Sequence, residues 1–283
     1  MSPAQIAMPW TAASIGTAGR FSGSAEVQVD PAWQPWLDLL EIALEADGRA
    51  WSSVVPANGD RPAGAPLLEG TTLRVDSSRA KTLVRRLAHA AGVSRVNAID
   101  PTRAIRASIT RDESALAEMA ELSGVSANAF AVVAQAAAMP VLHAVTQTMS
   151  ATAAAAWTRG YCPVCGAWPS LAELRGLERE RRLRCGCCSA DWPLALLRCA
   201  YCDERDHEKL GTLLPEGEEQ FRLVETCESC HGYLKAVTTI AALSDRALIL
   251  LDLSTVPLDL VAHDRGYARP ARPGWAPSLE IVS

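Results

Sequence analysis

Residues 160–202 read GYCPVCGAWPSLAELRGLERERRLRCGCCSADWPLALLRCAYC, and a further cysteine pair, Cys227-Glu-Ser-Cys230, follows. The region therefore contains four C-x-x-C turns, here called the first to fourth knuckles in chain order. Two residues between cysteines let the backbone turn so that both thiolates reach one ion at about 2.3 Å. Pairing the knuckles in chain order predicts two four-cysteine metal sites with the ligands Cys162, Cys165, Cys185, Cys188, Cys199, Cys202, Cys227 and Cys230.

Two neighbours of the ligands bear on this interpretation. Gly166 directly follows the first knuckle, and a knuckle often needs a positive φ just past its second ligand. Cys187 is a ninth, odd cysteine beside Cys188. The x₂ spacing from Cys185 favours Cys188 as the ligand, so we expect Cys187 to be a bystander thiol.

The same cysteines must be weighed against other chemistries. A dithiol redox site would need a reactive pair in a βαβ setting, which the surrounding sequence does not show. Cys227–Cys230 is followed by His231, the pattern of c-type haem attachment, but that attachment generally happens outside the cytoplasm. Iron–sulfur motifs crowd their cysteines into one loop. Zinc and a single iron ion suit four thiolates equally well, and spacing does not choose between them.

The composition and the N-terminal sequence limit which cellular compartment and which classes of partner are expected. The chain has 283 residues, 49% of them hydrophobic, and a formal net charge of -5, which argues against broad nucleic-acid binding. The N-terminal stretch has no cationic residue before Arg20 and no sustained apolar run, so we expect no export signal and a cytoplasmic location. In that reducing compartment, nine cysteines favour metal binding over disulfides.

Helical periodicity dominates before the first knuckle. We predict helices from about Pro31 to Arg49, from Asp76 or Ser77 to Gly92, and over 112–122 and 126–158, the last kinked or split by Pro140. Between Glu121 and Arg159 no residue other than a histidine can carry a charge. Because the bulk of this stretch is alanine, we expect buried core helices and no membrane insertion.

These patterns together predict an α+β multidomain protein. An all-α N-terminal domain is followed by two small four-cysteine modules of rubredoxin-like or zinc-ribbon-like type. The expected segments are a flexible lead at 1–28, a helical domain at 29–158, a first module at 159–198, a second at 199–240, and a C-terminal helical segment with a tail at 241–283. No nucleophile–base arrangement or phosphate loop is present, so we expect no enzymatic activity.

Several short motifs accompany the cysteines, namely Cys162-Pro-Val-Cys165-Gly166, Leu183-Arg184-Cys185, Trp192, Arg198-Cys199, Glu225-Thr226-Cys227, Gly232-Tyr233-Leu234-Lys235 and Gly266-Tyr267-Ala268-Arg269. Their order resembles the FdhE family, the accessory proteins of formate dehydrogenase, over about 162–269. Two positions depart from that family: His231 stands where glycine is usual, and Cys187 is an additional thiol. Over residues 1–160 the resemblance is mainly a shared helical character.

The resemblance implies a cytoplasmic, non-enzymatic maturation factor with two rubredoxin-like iron sites, the eight paired cysteines being the ligands. It also implies contact with the catalytic subunit of formate dehydrogenase before export. We predict that the contact surface lies at the polar residues near the knuckles, namely Arg181, Arg182, Arg184, Tyr233 and Lys235. The oligomeric state stays open. Two other functions remain as alternatives: a zinc-ribbon protein that binds nucleic acid, and a rubredoxin-like electron carrier.

Overall fold

The computed structural model describes residues 33–46, 51–55, 61–149, 154–214 and 221–282. The predicted flexible lead at 1–28 lies outside these residues, as do the predicted start of the first helix at Pro31 and its exit near Arg49. Five helices form the N-terminal part of the described chain: α1 (Gln34–Leu44), α2 (Ser77–Ala90), α3 (Pro101–Thr110), α4 (Glu113–Ser123) and α5 (Ala127–Thr146).

Side-chain caps explain where four of these helices begin. Asp76, Asp100, Asp112 and Ser126 precede α2, α3, α4 and α5, and each accepts a hydrogen bond from a backbone N–H in the first turn. The prediction is confirmed for α2, whose apolar residues Ala80, Leu83, Val84 and Leu87 are buried, and for α4. Helix α3 was missed, although Asp100 followed by Pro101 is a helix-start signal and Ile105 and Ile109 lie on one buried face.

Helix α5 forms the centre of the helical part. It runs from Ala127 to Thr146 without a break at Pro140, so of the two predicted effects of this proline, a kink or a split, the split does not occur. By length and composition α5 alone among the described helices is apolar enough to cross a membrane, yet 67% of its most apolar window is buried inside the protein. Burial of this kind is typical of a core helix.

A small sheet lies beside the helices and was not predicted. Strands β1 (Ser52–Val55) and β2 (Thr71–Val75) pair antiparallel, and β2 also pairs parallel with the C-terminal strand, which is numbered β9 (Leu279–Val282). The end of the chain therefore returns to the N-terminal part of the fold, although the sequence suggested only a proline-rich tail.

The knuckles are carried by a second, six-stranded sheet. Its strands are β3 (Leu171–Arg175), β4 (Glu180–Arg184), β5 (Asp191–Pro193), β6 (Leu210–Leu213), β7 (Arg222–Cys227) and β8 (Gly232–Thr239). The spatial order is β5-β4-β3-β8-β7-β6. Strands β3 and β8 pair parallel in the middle, so the hairpins of the two predicted modules share one continuous sheet.

Two further helices, α6 (Asp245–Ser254) and α7 (Val256–Asp264), follow β8 as the C-terminal pattern predicted. The predicted α+β class, with an N-terminal helical part followed by two four-cysteine clusters, is confirmed. The segment boundaries remain predictions. However, one apolar core includes Phe130 of α5, Cys162 of the first knuckle and Leu234 of β8, so packing is continuous across residues 158–161.

Candidate metal centre

All four knuckles have the same backbone geometry. In the first three, the N–H of the leading cysteine donates to the carbonyl oxygen five residues on, at 2.8–3.0 Å. The residue just past the second cysteine then donates back to the leading cysteine's carbonyl at 3.0–3.2 Å. In the fourth knuckle, the leading cysteine pairs in the sheet with the residue five positions on. The residue after each second cysteine has a positive φ: Gly166 (74°), Ser189 (58°), Asp203 (66°) and His231 (51°).

The first and second knuckles meet in a buried group, here called cluster 1. It consists of Cys162, Cys165, Cys185 and Cys188, each at most 1% exposed. The Sγ–Sγ distances are 3.4 Å between Cys162 and Cys188 and 3.5 Å between Cys165 and Cys185.

Cluster 1 is held from several sides of the fold. The backbone N–H of Leu67 donates to the carbonyl of Pro163 at 2.7 Å, which connects the helical part to the first knuckle. The Arg111 guanidinium donates to the carbonyl of Cys165 at 3.1 Å. At the end of α5, the Thr146 hydroxyl donates to the carbonyl of Cys188 at 2.8 Å. Cluster 1 is therefore part of the protein interior.

The third and fourth knuckles form cluster 2, with Cys199, Cys202, Cys227 and Cys230. The Sγ–Sγ distance is 3.7 Å both between Cys199 and Cys230 and between Cys202 and Cys227. Two of these cysteines are buried, whereas Cys202 and Cys230 are exposed. Cluster 2 therefore differs from cluster 1 in that two of its four ligand residues are exposed.

Both clusters fit a tetrahedral metal ion. Four thiolates at about 2.3 Å from a central ion lie about 3.8 Å from each other. In each cluster the four sulfur atoms all lie within 4.8 Å of one another, with the shortest contacts at 3.4–3.7 Å. These contacts are well beyond the roughly 2.05 Å of a disulfide bond. Four protein ligands complete the shell of zinc or ferric iron and leave no position for a substrate water.

The protein environment also prepares the sulfurs for a cation. Backbone N–H groups donate to leading sulfurs, from Val164 to Cys162 and from Tyr201 to Cys199, both at 3.4 Å. Such donors stabilise a thiolate. Burial raises the pKa of the Cys162 thiol well above its ordinary value and that of Cys199 to about 11. An arriving ion must therefore displace protons, and its affinity falls with decreasing pH.

Comparison with known proteins agrees with this architecture. No protein-family model matches the chain. The protein named FdhE homolog of Stutzerimonas stutzeri is 38% identical over 113 residues, which is 39% of this chain and 36% of that protein. The FdhE homolog of Aquifex aeolicus is 30% identical over 122 residues, 41% of each chain. The crystal structure of the FdhE protein from Pseudomonas aeruginosa covers 86% of this chain and 95% of its own, with a TM-score of 0.51 at 20% identity.

The chain is therefore similar to proteins named FdhE, in sequence over part of its length and in fold over most of it. In the sequence matches it covers well under half the length of the curated relatives, 36% to 41% for the two named above. The crystal structure, at 20% identity, shows that the fold is shared.

The two departures from the FdhE pattern have defined places in the structure. His231 adopts the positive φ that glycine takes in the first knuckle, so the turn is retained without glycine. A non-glycine residue in this region carries a strain of about 1–2 kcal/mol. Cys187 is partly buried and lies outside the four-sulfur group of cluster 1, whereas Cys188 lies within it. The structure thus brings together the same eight cysteines that the spacing predicted.

The structure corrects the expectation that Arg181 and Arg184 form part of a contact surface, because both are buried. Arg181 is 5% exposed and binds both carboxylate oxygens of Glu225, at 2.9 and 2.5 Å. Arg184 is 3% exposed, pairs with Glu173 and donates twice to the carbonyl of Leu243. Charged side chains paired in this way are engaged inside the fold and are not free to bind a partner.

Tyr233 and Lys235 are also buried, at 2% and 1% exposure, so the same correction applies. The Tyr233 hydroxyl donates to Asp259 at 2.8 Å. The Lys235 ammonium lies 2.7 Å from Asp259 and 2.8 Å from Asp252, which connects β8 to α6 and α7. Of the five predicted contact residues, Arg182 alone is partly exposed, and it pairs with Asp191.

A groove beside cluster 2 was missed by the sequence analysis. Its volume is about 500 Å³, and Cys199 and Cys227 are among the residues that line it. Leu196 and Leu197, which also line it, are 57% and 60% exposed. Arg181 donates to the carbonyls of Ala195 and Arg198 and so holds this leucine segment against the sheet. The stretch Trp192–Leu197 reads as a strand in the sequence, which gives no sign that Leu196 and Leu197 form a groove wall.

Proposed function

We propose that this protein is an accessory factor for the maturation of formate dehydrogenase and that it binds the catalytic subunit of that enzyme in the cytoplasm, before export. The observation that carries the proposal is the similarity to FdhE proteins together with two intact four-cysteine clusters. In this account the protein binds its partner and catalyses no reaction. Closed four-thiolate shells, which leave no position for a substrate, support that view.

The two clusters bind one metal ion each in this proposal. Rubredoxin-like iron agrees with the family resemblance, and zinc fits the same geometry. A bound ion holds two knuckles together and, as iron, also carries one electron. The chain buries all four ligand residues of cluster 1 and leaves two ligand residues of cluster 2 exposed, next to a groove.

We propose that the groove beside cluster 2 is the contact site for the catalytic subunit. Leu196 and Leu197 expose apolar surface at a concave site, and such surface is commonly an interaction site. This location replaces the buried residues that the sequence suggested.

Deletion and complementation test this function. A strain without the gene and without a redundant copy should make the catalytic polypeptide but lack respiratory formate dehydrogenase activity. Normal formate oxidation in that strain would refute the proposed function.

The contact site is tested with the Leu196→Glu/Leu197→Glu variant. It should keep both metals and its fold but lose the catalytic subunit in a pull-down. Leu122→Glu is the matched control, because Leu122 is 49% exposed on α4 and does not line the groove. Retained binding by the double variant would place the contact elsewhere on the protein.

Electron transfer is a second candidate function, and the exposure of Cys202 and Cys230 favours it. An iron centre with two ligand residues at the protein surface can exchange an electron with a docked partner. A redox titration of iron-loaded protein followed by optical spectroscopy tests this candidate. Reversible reduction at cluster 2 would support it, and a centre that cannot be cycled without losing iron would refute it.

A further inference from the structure

The tip of the third knuckle faces the interior. Its two middle residues, Ala200 and Tyr201, lie between the ligands Cys199 and Cys202. Ala200 is only 6% exposed and belongs to the same apolar core as cluster 1. A Cβ added at Gly160 would lie 1.7 Å from the carbonyl oxygen of Ala200, so the backbone leading to the first knuckle contacts the third knuckle directly.

Aromatic rings extend this contact. The ring of Tyr201 meets that of Trp168 edge to face, with centroids 5.2 Å apart. Trp168 in turn meets Tyr161 at 6.0 Å. Tyr161 directly precedes the ligand Cys162, and Trp168 follows Cys165 by three residues. The aromatic contacts therefore connect the backbone on both sides of the first knuckle to the third.

Tyr201 is also fixed to cluster 2. Its N–H donates to the Cys199 sulfur at 3.4 Å, and its hydroxyl donates to the carbonyl of Tyr233 in β8 at 2.8 Å. A Cβ at Gly232, two residues after the ligand Cys230, would lie 2.6 Å from the Tyr201 ring. The position of this ring consequently depends on the third and fourth knuckles being held together.

We propose that Tyr201 is a positioning residue that couples the two clusters, so that metal bound at cluster 2 strengthens metal binding at cluster 1. An ion at cluster 2 fixes the third knuckle, and the fixed knuckle supports the backbone of the first through Trp168 and Gly160. Because coupling between sites is reciprocal, metal at cluster 1 strengthens binding at cluster 2 by the same factor. This inference goes beyond the proposed function and holds for zinc and for iron.

The expected size of the effect is about tenfold in affinity, within the range typical of coupled sites. An edge-to-face aromatic pair and a buried backbone contact are of the right strength to produce it. Because two ligand residues of cluster 2 are exposed, we expect cluster 2 to lose its ion before cluster 1. The coupling is then measured as faster loss of the ion from cluster 1 when cluster 2 is empty.

The test uses full-length, zinc-loaded protein challenged with a chelator. Alkylation of the cluster 1 cysteines, followed peptide by peptide by mass spectrometry, reports loss of zinc from cluster 1 alone. In the Cys227→Ser/Cys230→Ser variant, which leaves the third knuckle intact, cluster 1 should lose zinc about tenfold faster than in the wild type. Tyr201→Ala should speed the loss similarly, and adding the two serines to it should have little further effect.

Two substitutions separate this role from general destabilisation. Tyr201→Phe keeps the ring contact and should retain most of the coupling. Tyr267→Ala is the control, because Tyr267 lies beside His231 after the fourth knuckle, at 6.3 Å between ring centroids, and has no ring contact with the first knuckle in the described structure. It should leave cluster 1 unchanged.

The proposal is overturned if cluster 1 loses zinc at the wild-type rate when cluster 2 is removed. It is equally overturned if removing cluster 2 still accelerates that loss about tenfold in the Tyr201→Ala background. Should Tyr201→Ala fail to fold, Tyr201→Leu replaces it, since leucine keeps apolar volume but lacks the ring edge and the hydroxyl.

Discussion

Lys235→Met removes a buried cation and tests whether this residue stabilises the fold. The Lys235 ammonium is 2.7 Å from Asp259 and 2.8 Å from Asp252, and it also donates to the Asp252 carbonyl at 2.6 Å. Breaking one side of a buried ion pair costs about 3–5 kcal/mol. Arg269 lies 3.1 Å from Asp259 and 3.5 Å from Asp252 and compensates in part, so we expect a loss of about 3 kcal/mol.

A loss of this size lowers the unfolding temperature by about 6–10 °C in a chain of this length, which circular dichroism can follow. Lys209→Met is the matched control: its ammonium is 52% exposed and lies 3.6 Å from Glu204, so its loss should cost below about 1 kcal/mol. If both variants melt within about 2 °C of the wild type, Lys235 does not stabilise the fold in this way.

The pH dependence of the Lys235 effect has a defined sign. Burial acts to raise the pKa of Asp252, but the charges of Lys235 and Arg269 outweigh it and bring the pKa below its ordinary 3.8. A depressed carboxyl pKa contributes stability that is present above the unfolded-state value and is lost as pH falls through the folded-state value. The stability difference between wild type and Lys235→Met should therefore be full near neutral pH and shrink below about pH 4.

The remaining predictions concern the clusters. Cys165→Ser should remove one metal ion and also unfold much of the helical part, because cluster 1 shares its core. Cys230→Ser should remove one ion and leave helix content near wild type. Elemental analysis measures the metal content and circular dichroism measures the helix content of both variants. Gly166→Ala should lower the free energy of unfolding by more than the roughly 1–2 kcal/mol of a left-handed alanine, because its Cβ would lie 2.5 Å from a backbone oxygen. Gly176→Ala has open space around it and should cost the backbone strain alone. Urea unfolding measures both. Cys187→Ser should keep the wild-type metal content, and loss of one ion from this variant would assign Cys187 as a ligand.

Local signals in the sequence were sufficient to predict the metal ligands and several of the helices. The x₂ spacing selected Cys188 over Cys187, and the structure groups the sulfurs accordingly. Asp76 before an apolar stripe predicted α2, because the cap and the helical period both act within a few residues. The positive φ of His231 could also be predicted, because His231 occupies the position in the fourth knuckle that Gly166 occupies in the first.

Features that depend on distant parts of the chain were missed. Strand β9 pairs parallel with β2, and β3 pairs parallel with β8, and neither pairing leaves a turn signal between the strands. Charge was misleading for Arg184 and Lys235, because an isolated charged residue is usually exposed. Their partners, Glu173 and Asp252, lie on other elements, so only the folded chain shows that these charges are paired and buried.

Native mass spectrometry of the purified full-length protein tests the central claim most directly. The two four-cysteine clusters should each hold one ion, so the account predicts a mass corresponding to two ions of iron or zinc per chain. The mass of each ion also distinguishes iron from zinc. A chain that carries one ion or none, after purification without chelator and with all nine cysteines reduced, would contradict the account.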